Sequence, residues 1–135
     1  MEALSELIQN LQRENLTHIS LQCQDTPYPL SPSVEPIIFR IAQEALQNSL
    51  KHAKATDIRL ILTYGPDRFR LSVHDNGIGF DQSLFGKEKT DGSGFGLLAI
   101  ADRAQSIGGT LQIETQPGHG TVVTLEYPII LKRSR

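Results

Sequence analysis

Cysteine is nearly absent. Cys23 is the only one, so the chain cannot form an intrachain disulfide or build a cysteine-ligated metal site of its own. That usage suits a reducing compartment. There is no apolar run near the roughly 18 residues that a membrane-spanning helix needs, and no signal-peptide pattern, so a cytoplasmic location without membrane contact is expected. Excess positive charge is also missing. The formal net charge is −2 and the sequence pI about 6.1, which argues against a nucleic-acid binder. Lys132, Arg133 and Arg135 at the end read as a solvated tail. No internal repeat, low-complexity segment or Gly-Lys-Ser/Thr phosphate loop occurs.

What remains is a chain of 135 residues with 39% hydrophobic content, enough for one domain with a real core. Leu4, Leu7, Ile8 and Leu11 mark a helix over residues 2–13, and Ile19 and Leu21 alternate with polar neighbours in a strand over 17–23. Three prolines make 25–33 a loop. The longest helix is expected over 33–53, with Ser33 as N-cap, Pro36 in the first turn, and an apolar stripe of Ile38, Ile41, Ala42, Ala45, Leu46, Ser49 and Ala53. Strands at 57–64 and 68–76 flank the turn Gly65-Pro66-Asp67. A glycine-punctuated loop at 77–94 leads to a helix at 95–107 that stops at Gly108-Gly109. Strands at 110–115 and 120–127 close the chain around Gln116-Pro117-Gly118-His119. The order implies an α/β (α+β) two-layer sandwich, a mixed and mostly antiparallel sheet with helices on one face.

Three clusters carry chemistry. Glu44, Asn48 and Lys51 fall within roughly a 60° arc of the long helix, at the seam between apolar stripe and solvent. Arg40, Gln43, Gln47 and Lys54 lie on its outermost face. An acid, an amide and an amine so aligned can polarise a hydroxyl or water, ligate a hard cation and meet a phosphate; an ordinary amphipathic boundary has the same pattern. Asp75 continues the inward phase of Phe69, Leu71 and Val73, just before Asn76-Gly77-Ile78-Gly79-Phe80. A carboxylate there either floors a pocket and accepts from an exocyclic amine such as adenine's, or caps the turn at Gly77. Gly92-Ser93-Gly94-Phe95-Gly96-Leu97 runs into a helix whose free N–H groups suit a phosphate, but no parallel βαβ unit supports a dinucleotide-binding reading.

Taken in order, these segments resemble one known set. Residues 39–53, containing Glu44, Asn48, Lys51 and His52, resemble the N box of the GHKL ATPase superfamily. Asp75-Asn76-Gly77-Ile78-Gly79-Phe80 resembles its G1 box, Gly94-Phe95-Gly96-Leu97 with Arg103 its G2 box, and Gly118-His119-Gly120-Thr121 its terminal turn. Within that superfamily the chain is most similar to sensor histidine kinases that work with NarL/LuxR-type response regulators. The resemblance implies a single ATP-binding catalytic domain with ATP and Mg²⁺ as cofactors. It implies Asn48 as metal ligand, Asp75 on the adenine amine, Glu44 polarising the attacking group and Lys51 on a phosphate. It further implies Gly77 and Gly79 around the base, the N–H groups of Gly94, Phe95 and Gly96 on the phosphates, and Leu97, His52 and Thr121 assisting. Residues 81–93 would be a lid closing over nucleotide.

Two departures stand out. Ala99-Ile100-Ala101-Asp102 replaces the Gly-Met-x-Glu common in relatives. No segment resembles the helical dimerisation domain that carries the phosphoacceptor histidine: His18 and His74 fall in or beside strands, His119 in a turn and His52 in the N box. The expected function is therefore transfer of the γ-phosphoryl of Mg·ATP to a histidine on a separate domain. A clamp-driving GHKL ATPase, an anti-sigma-factor-type serine kinase and a non-enzymatic nucleotide sensor are the competing readings.

Overall fold

The computed structural model describes residues 2–51, 54–79 and 97–129. Within them lie, in order, α1 (Glu2–Asn15), β1 (His18–Gln24), α2 (Glu35–Lys51), β2 (Asp57–Tyr64), β3 (Arg68–Asp75), α3 (Leu97–Ser106), β4 (Thr110–Thr115) and β5 (Thr121–Pro128). The strands form one sheet in the order β1-β2-β3-β5-β4. Only β1 and β2 pair in parallel; the other three pairings are antiparallel. This is the expected mixed, mostly antiparallel two-layer arrangement.

The period-2 alternation of the strands decides which face is buried. Leu60, Val73, Val123 and Ile113 lie side by side across β2, β3, β5 and β4, as do Leu62, Leu71, Leu125 and Leu111. These rows pack beneath Leu4, Ile8 and Leu11 of α1, Ile38, Ile41, Ala42, Ala45 and Leu46 of α2, and Ile100 and Ala104 of α3. The opposite face carries polar pairs. Arg70 stands across from Glu126, with its Nε 3.0 Å from Oε2, and Arg68 joins the same carboxylate at 3.3 Å. The Arg70 hydrogen bond holds the Glu126 carboxyl below its ordinary range.

The start of α2 corrects one expectation. α2 begins at Glu35, after a turn over residues 32–34 closed by Val34 N and Glu35 N donating to the Ser31 carbonyl, and this turn draws the Ser33 hydroxyl back to Ser31 Oγ at 2.9 Å instead of onto the helix. Pro36, the second residue of α2, stands in its first turn, where a missing N–H costs nothing. A second correction concerns Lys54. It sits outside the helix with φ 53°, so it does not share the outer helix face with Arg40, Gln43 and Gln47. Pro128 extends β5 by one residue, opposite Arg68. Among the described residues no helix is long and apolar enough to cross a membrane.

Candidate active site at the ends of α2 and β3

Asp75 is the last residue of β3, in register with Ile58 on one side and Thr121 on the other, in the row that faces the helices. The inward phase is as expected. Its Oδ2 accepts the Ser49 hydroxyl at 2.6 Å, and its Oδ1 accepts the N–H of Gly77 at 2.9 Å and of Thr121 at 3.1 Å. The turn-capping reading of this carboxylate is realised. One oxygen caps the turn and the other reaches α2, so the group sits on the floor between helix and sheet. Three donors offset the cost of removing a carboxylate from water.

The chain after Asp75 is fixed by its neighbour. Asn76 accepts at Oδ1 from the N–H of both Thr56 and Asp57, each at 3.0 Å, and donates from Nδ2 to Thr56 Oγ1. This pins the exit of β3 to the lead-in of β2 and sets the direction of Gly77, Ile78 and Gly79. Gly79 has φ 65°, and a Cβ there would overlap the Gln116 carbonyl; Gly120 has φ 77°, and a Cβ there would overlap the Asp75 carbonyl oxygen. Only glycine fits at these two crossings, where the β3 exit and the β4–β5 turn pass backbone to backbone.

On α2 the triad separates. Asn48 is 8% exposed, and its Oδ1 is buried with no hydrogen-bond partner. Glu44, one turn earlier, is partly buried, and its Oε1 accepts from Arg103 of α3 at 2.9 Å. Lys51, in the last turn of α2, is exposed and pairs with neither of them among the described residues. The shared arc brings Glu44 and Asn48 to one edge but leaves Lys51 pointing to solvent. His52, Gly94, Phe95, Gly96 and the expected lid lie outside the described residues; Leu97 opens α3.

Thr121 stands beside Asp75 in the sheet. Its backbone N–H serves Asp75, while its hydroxyl pairs with Thr115 at 2.9 Å. Sequence reasoning missed one participant, Ser49, and one pairing, Glu44 with Arg103. Ser49 looked like one member of an apolar stripe, although a hydroxyl in a stripe of Ile, Ala and Leu was itself a signal that something polar lies opposite. The pairing of Glu44 with Arg103 spans 59 positions, and nothing local announces it.

An unpartnered buried carboxamide oxygen is rare and costly, and it is the hard ligand type that Mg²⁺ prefers. Asn48 with Glu44 one turn away therefore fits a divalent cation. No ready-made group of three or more metal-ligating His, Cys, Asp or Glu exists among the described residues, so the ion would need further oxygens from a ligand such as a nucleotide phosphate. The cavity of about 450 Å³ lined by Tyr28, Leu30, Pro66 and Tyr127 is apolar and belongs to the opposite end of β3, away from these groups.

Comparison with known proteins agrees with this geometry. Residues 33–130 match the family described as histidine kinase-, DNA gyrase B- and HSP90-like ATPases. The sensor histidine kinase LiaS of Bacillus subtilis is 35% identical over 128 residues, 95% of this chain and 34% of LiaS. The histidine-protein kinase/phosphatase DegS of Brevibacillus brevis is 42% identical over 96 residues, 71% of this chain and 24% of DegS. The chain thus spans about a third or less of these curated relatives. Among solved structures, full-length ShkA in complex with AMPPNP superposes with TM-score 0.77 at 22% identity, over 94% of this chain and 28% of that one. The nucleotide-free catalytic domain of histidine kinase ThkA superposes with TM-score 0.71 at 20% identity, over 93% and 91%. The family match covers most of the chain, and the fold agrees with it: this chain belongs to the histidine kinase-, DNA gyrase B- and HSP90-like ATPase family.

Proposed function

We propose that the chain is the catalytic portion of a sensor histidine kinase, binding Mg·ATP and donating the γ-phosphoryl group to a histidine on a separate helical dimerisation domain. The observation that carries this reading is the buried, unpartnered Asn48 Oδ1 beside Glu44, above an Asp75 already anchored by three donors. Asp75 accepts from the exocyclic amine of adenine, between Gly77, Gly79 and the β4–β5 turn that ends in Thr121. Lys51, His52, Leu97 and the N–H groups of Gly94, Phe95 and Gly96 serve the phosphate side.

Asn48 would hold the Mg²⁺ ion, which supplies charge neutralisation of the phosphate oxygens. Glu44 accepts a hydrogen bond from the attacking imidazole and orients it. A bond forms from imidazole nitrogen to the γ-phosphorus, the bond from that phosphorus to the β,γ-bridging oxygen breaks, and ADP leaves. Positioning and charge stabilisation provide most of the acceleration in such transfers. The parent would act in the cytoplasm, passing phosphate onward to a NarL/LuxR-type response regulator.

The test is transfer in trans. A helical fragment carrying the phosphoacceptor histidine of LiaS, mixed with this chain and Mg·ATP, should acquire acid-labile, base-stable phosphate. ATP hydrolysis with no phosphoprotein would overturn the kinase reading in favour of a clamp-type ATPase.

A further inference from the structure

Glu44 is not left to find its own orientation. Arg103 sits on α3, three residues after the buried Ile100 and one before the buried Ala104, on the margin that packs against α2. Its guanidinium donates to Glu44 Oε1 at 2.9 Å, while Glu44 Oε2 has no hydrogen-bond partner among the described residues. Among the described residues no cation of α2 itself does this: Lys51 points to solvent, and Arg40 bonds Gln43 on the outer face. Both side chains keep contact with water, at 33% and 25% exposure, and an ion pair so placed contributes little to stability. Its effect is geometric. A planar guanidinium fixed on one helix takes one carboxylate oxygen of the next and so aims the other. The aimed oxygen lies one turn from the unpartnered Asn48 Oδ1, on the same edge of α2.

We propose that Arg103 is a positioning residue: by holding Oε1 of Glu44 it presents Oε2 to the group that attacks the γ-phosphorus, and it ties this alignment to α3. The inference rests on the kinase reading and adds to it a residue that acts only through Glu44. Because α3 begins directly after the Gly92–Gly96 segment of the sequence, any movement of α3 would be felt at the carboxylate through this pair.

The experiment is a double-mutant cycle on the whole chain with Mg·ATP and the LiaS acceptor fragment. Affinity for AMPPNP and the transfer rate at saturating ATP are measured for the parent, Arg103→Met, Arg103→Lys, Glu44→Gln and the Glu44→Gln/Arg103→Met pair. Methionine keeps the aliphatic stem, so the helix packing survives. Arg103→Met should slow transfer by roughly 10- to 100-fold, as misplacement of a catalytic group does, with AMPPNP affinity within about threefold of the parent. Arg103→Lys should recover part of the rate by restoring the charge without the planar fork. On the Glu44→Gln background, Arg103→Met should have almost no further effect, since the two act as a unit. A full Arg103→Met effect persisting on that background, a loss of AMPPNP binding equal to the loss of rate, or a parental rate in Arg103→Met would each overturn the proposal. A parental rate in Glu44→Gln would sink the proposal together with the role of Glu44 in the kinase reading, so that failure is recognisable as the deeper one.

Discussion

Ser49 of α2 donates its hydroxyl proton to Asp75 Oδ2 of β3 across 2.6 Å, joining the helix to the strand end at the floor of the candidate nucleotide pocket. The two residues should separate on substitution. Asp75→Asn keeps an acceptor for Gly77 N–H and Thr121 N–H, and its amide can still pair with Ser49, so the fold persists. It presents a donor where adenine's amine also donates, and affinity for ATP analogues should fall about 10- to 100-fold, the scale of a hydrogen bond to a charged group. Ser49→Ala leaves the carboxylate in place with one donor fewer and should cost about 1 kcal/mol of stability with a smaller loss of affinity. Calorimetry and thermal melts on both variants check this; equal affinity of Asp75→Asn and parent would remove Asp75 from the adenine site.

Asn48→Ala removes the oxygen that has no partner. In the absence of Mg²⁺ the variant should bind nucleotide about as well as the parent, and added Mg²⁺ should give it no gain. Because the deleted group was unsatisfied, Tm should not fall by the amount typical of a broken buried hydrogen bond, about 1–3 kcal/mol. Titration with a nonhydrolysable analogue at several Mg²⁺ concentrations is the check, and persistent magnesium dependence would count against Asn48 as a ligand.

Gly120→Ala should be severe. The position has φ 77°, and the added methyl would overlap the carbonyl oxygen of Asp75. Strain in the backbone and the forced shift together are expected to cost roughly 2–4 kcal/mol. For a domain of this size that corresponds to a drop of about 6–15 °C in Tm. Loss of nucleotide affinity should accompany it, because the displaced atom belongs to Asp75 itself.

His74 gives the domain a pH dependence. Burial, then the neighbouring Arg59, lower its pKa, while Glu114 opposes them. The unfolded chain therefore binds more protons than the folded one once the pH falls through the ordinary histidine value, about 6.5. The neutral ring's contribution to stability is complete above that pH and is lost progressively below it. His74→Gln should flatten the part of the Tm profile between about pH 7 and pH 5 relative to the parent. Parallel profiles for the two proteins would show that His74 is not the group responsible.

Much of this was legible in the sequence because the signals were periodic or local. The alternation of Phe69, Leu71 and Val73 placed Asp75 on the inward face, and the turns at Gly65–Asp67 and Gln116–His119 set the β2–β3 and β4–β5 hairpins correctly. The helix cap was misjudged because Ser33 lies in a turn that precedes α2, where its hydroxyl meets Ser31 instead of the helix. The triad was read as a unit from its angular spacing, but spacing is blind to depth: Asn48 is buried and Lys51 is exposed. Of the contacts made through tertiary packing, Ser49 with Asp75 was announced only by a hydroxyl in an apolar stripe, and Glu44 with Arg103 had no local signature at all.

The measurement that bears most directly on the central claim is calorimetric titration of the purified chain with AMPPNP, with and without Mg²⁺, against the guanine analogue as comparator. The account predicts binding that strengthens with Mg²⁺ and is clearly weaker for guanine, whose carbonyl replaces the amine that Asp75 would accept from. Equal affinity for the two bases, or no binding of either, would contradict it.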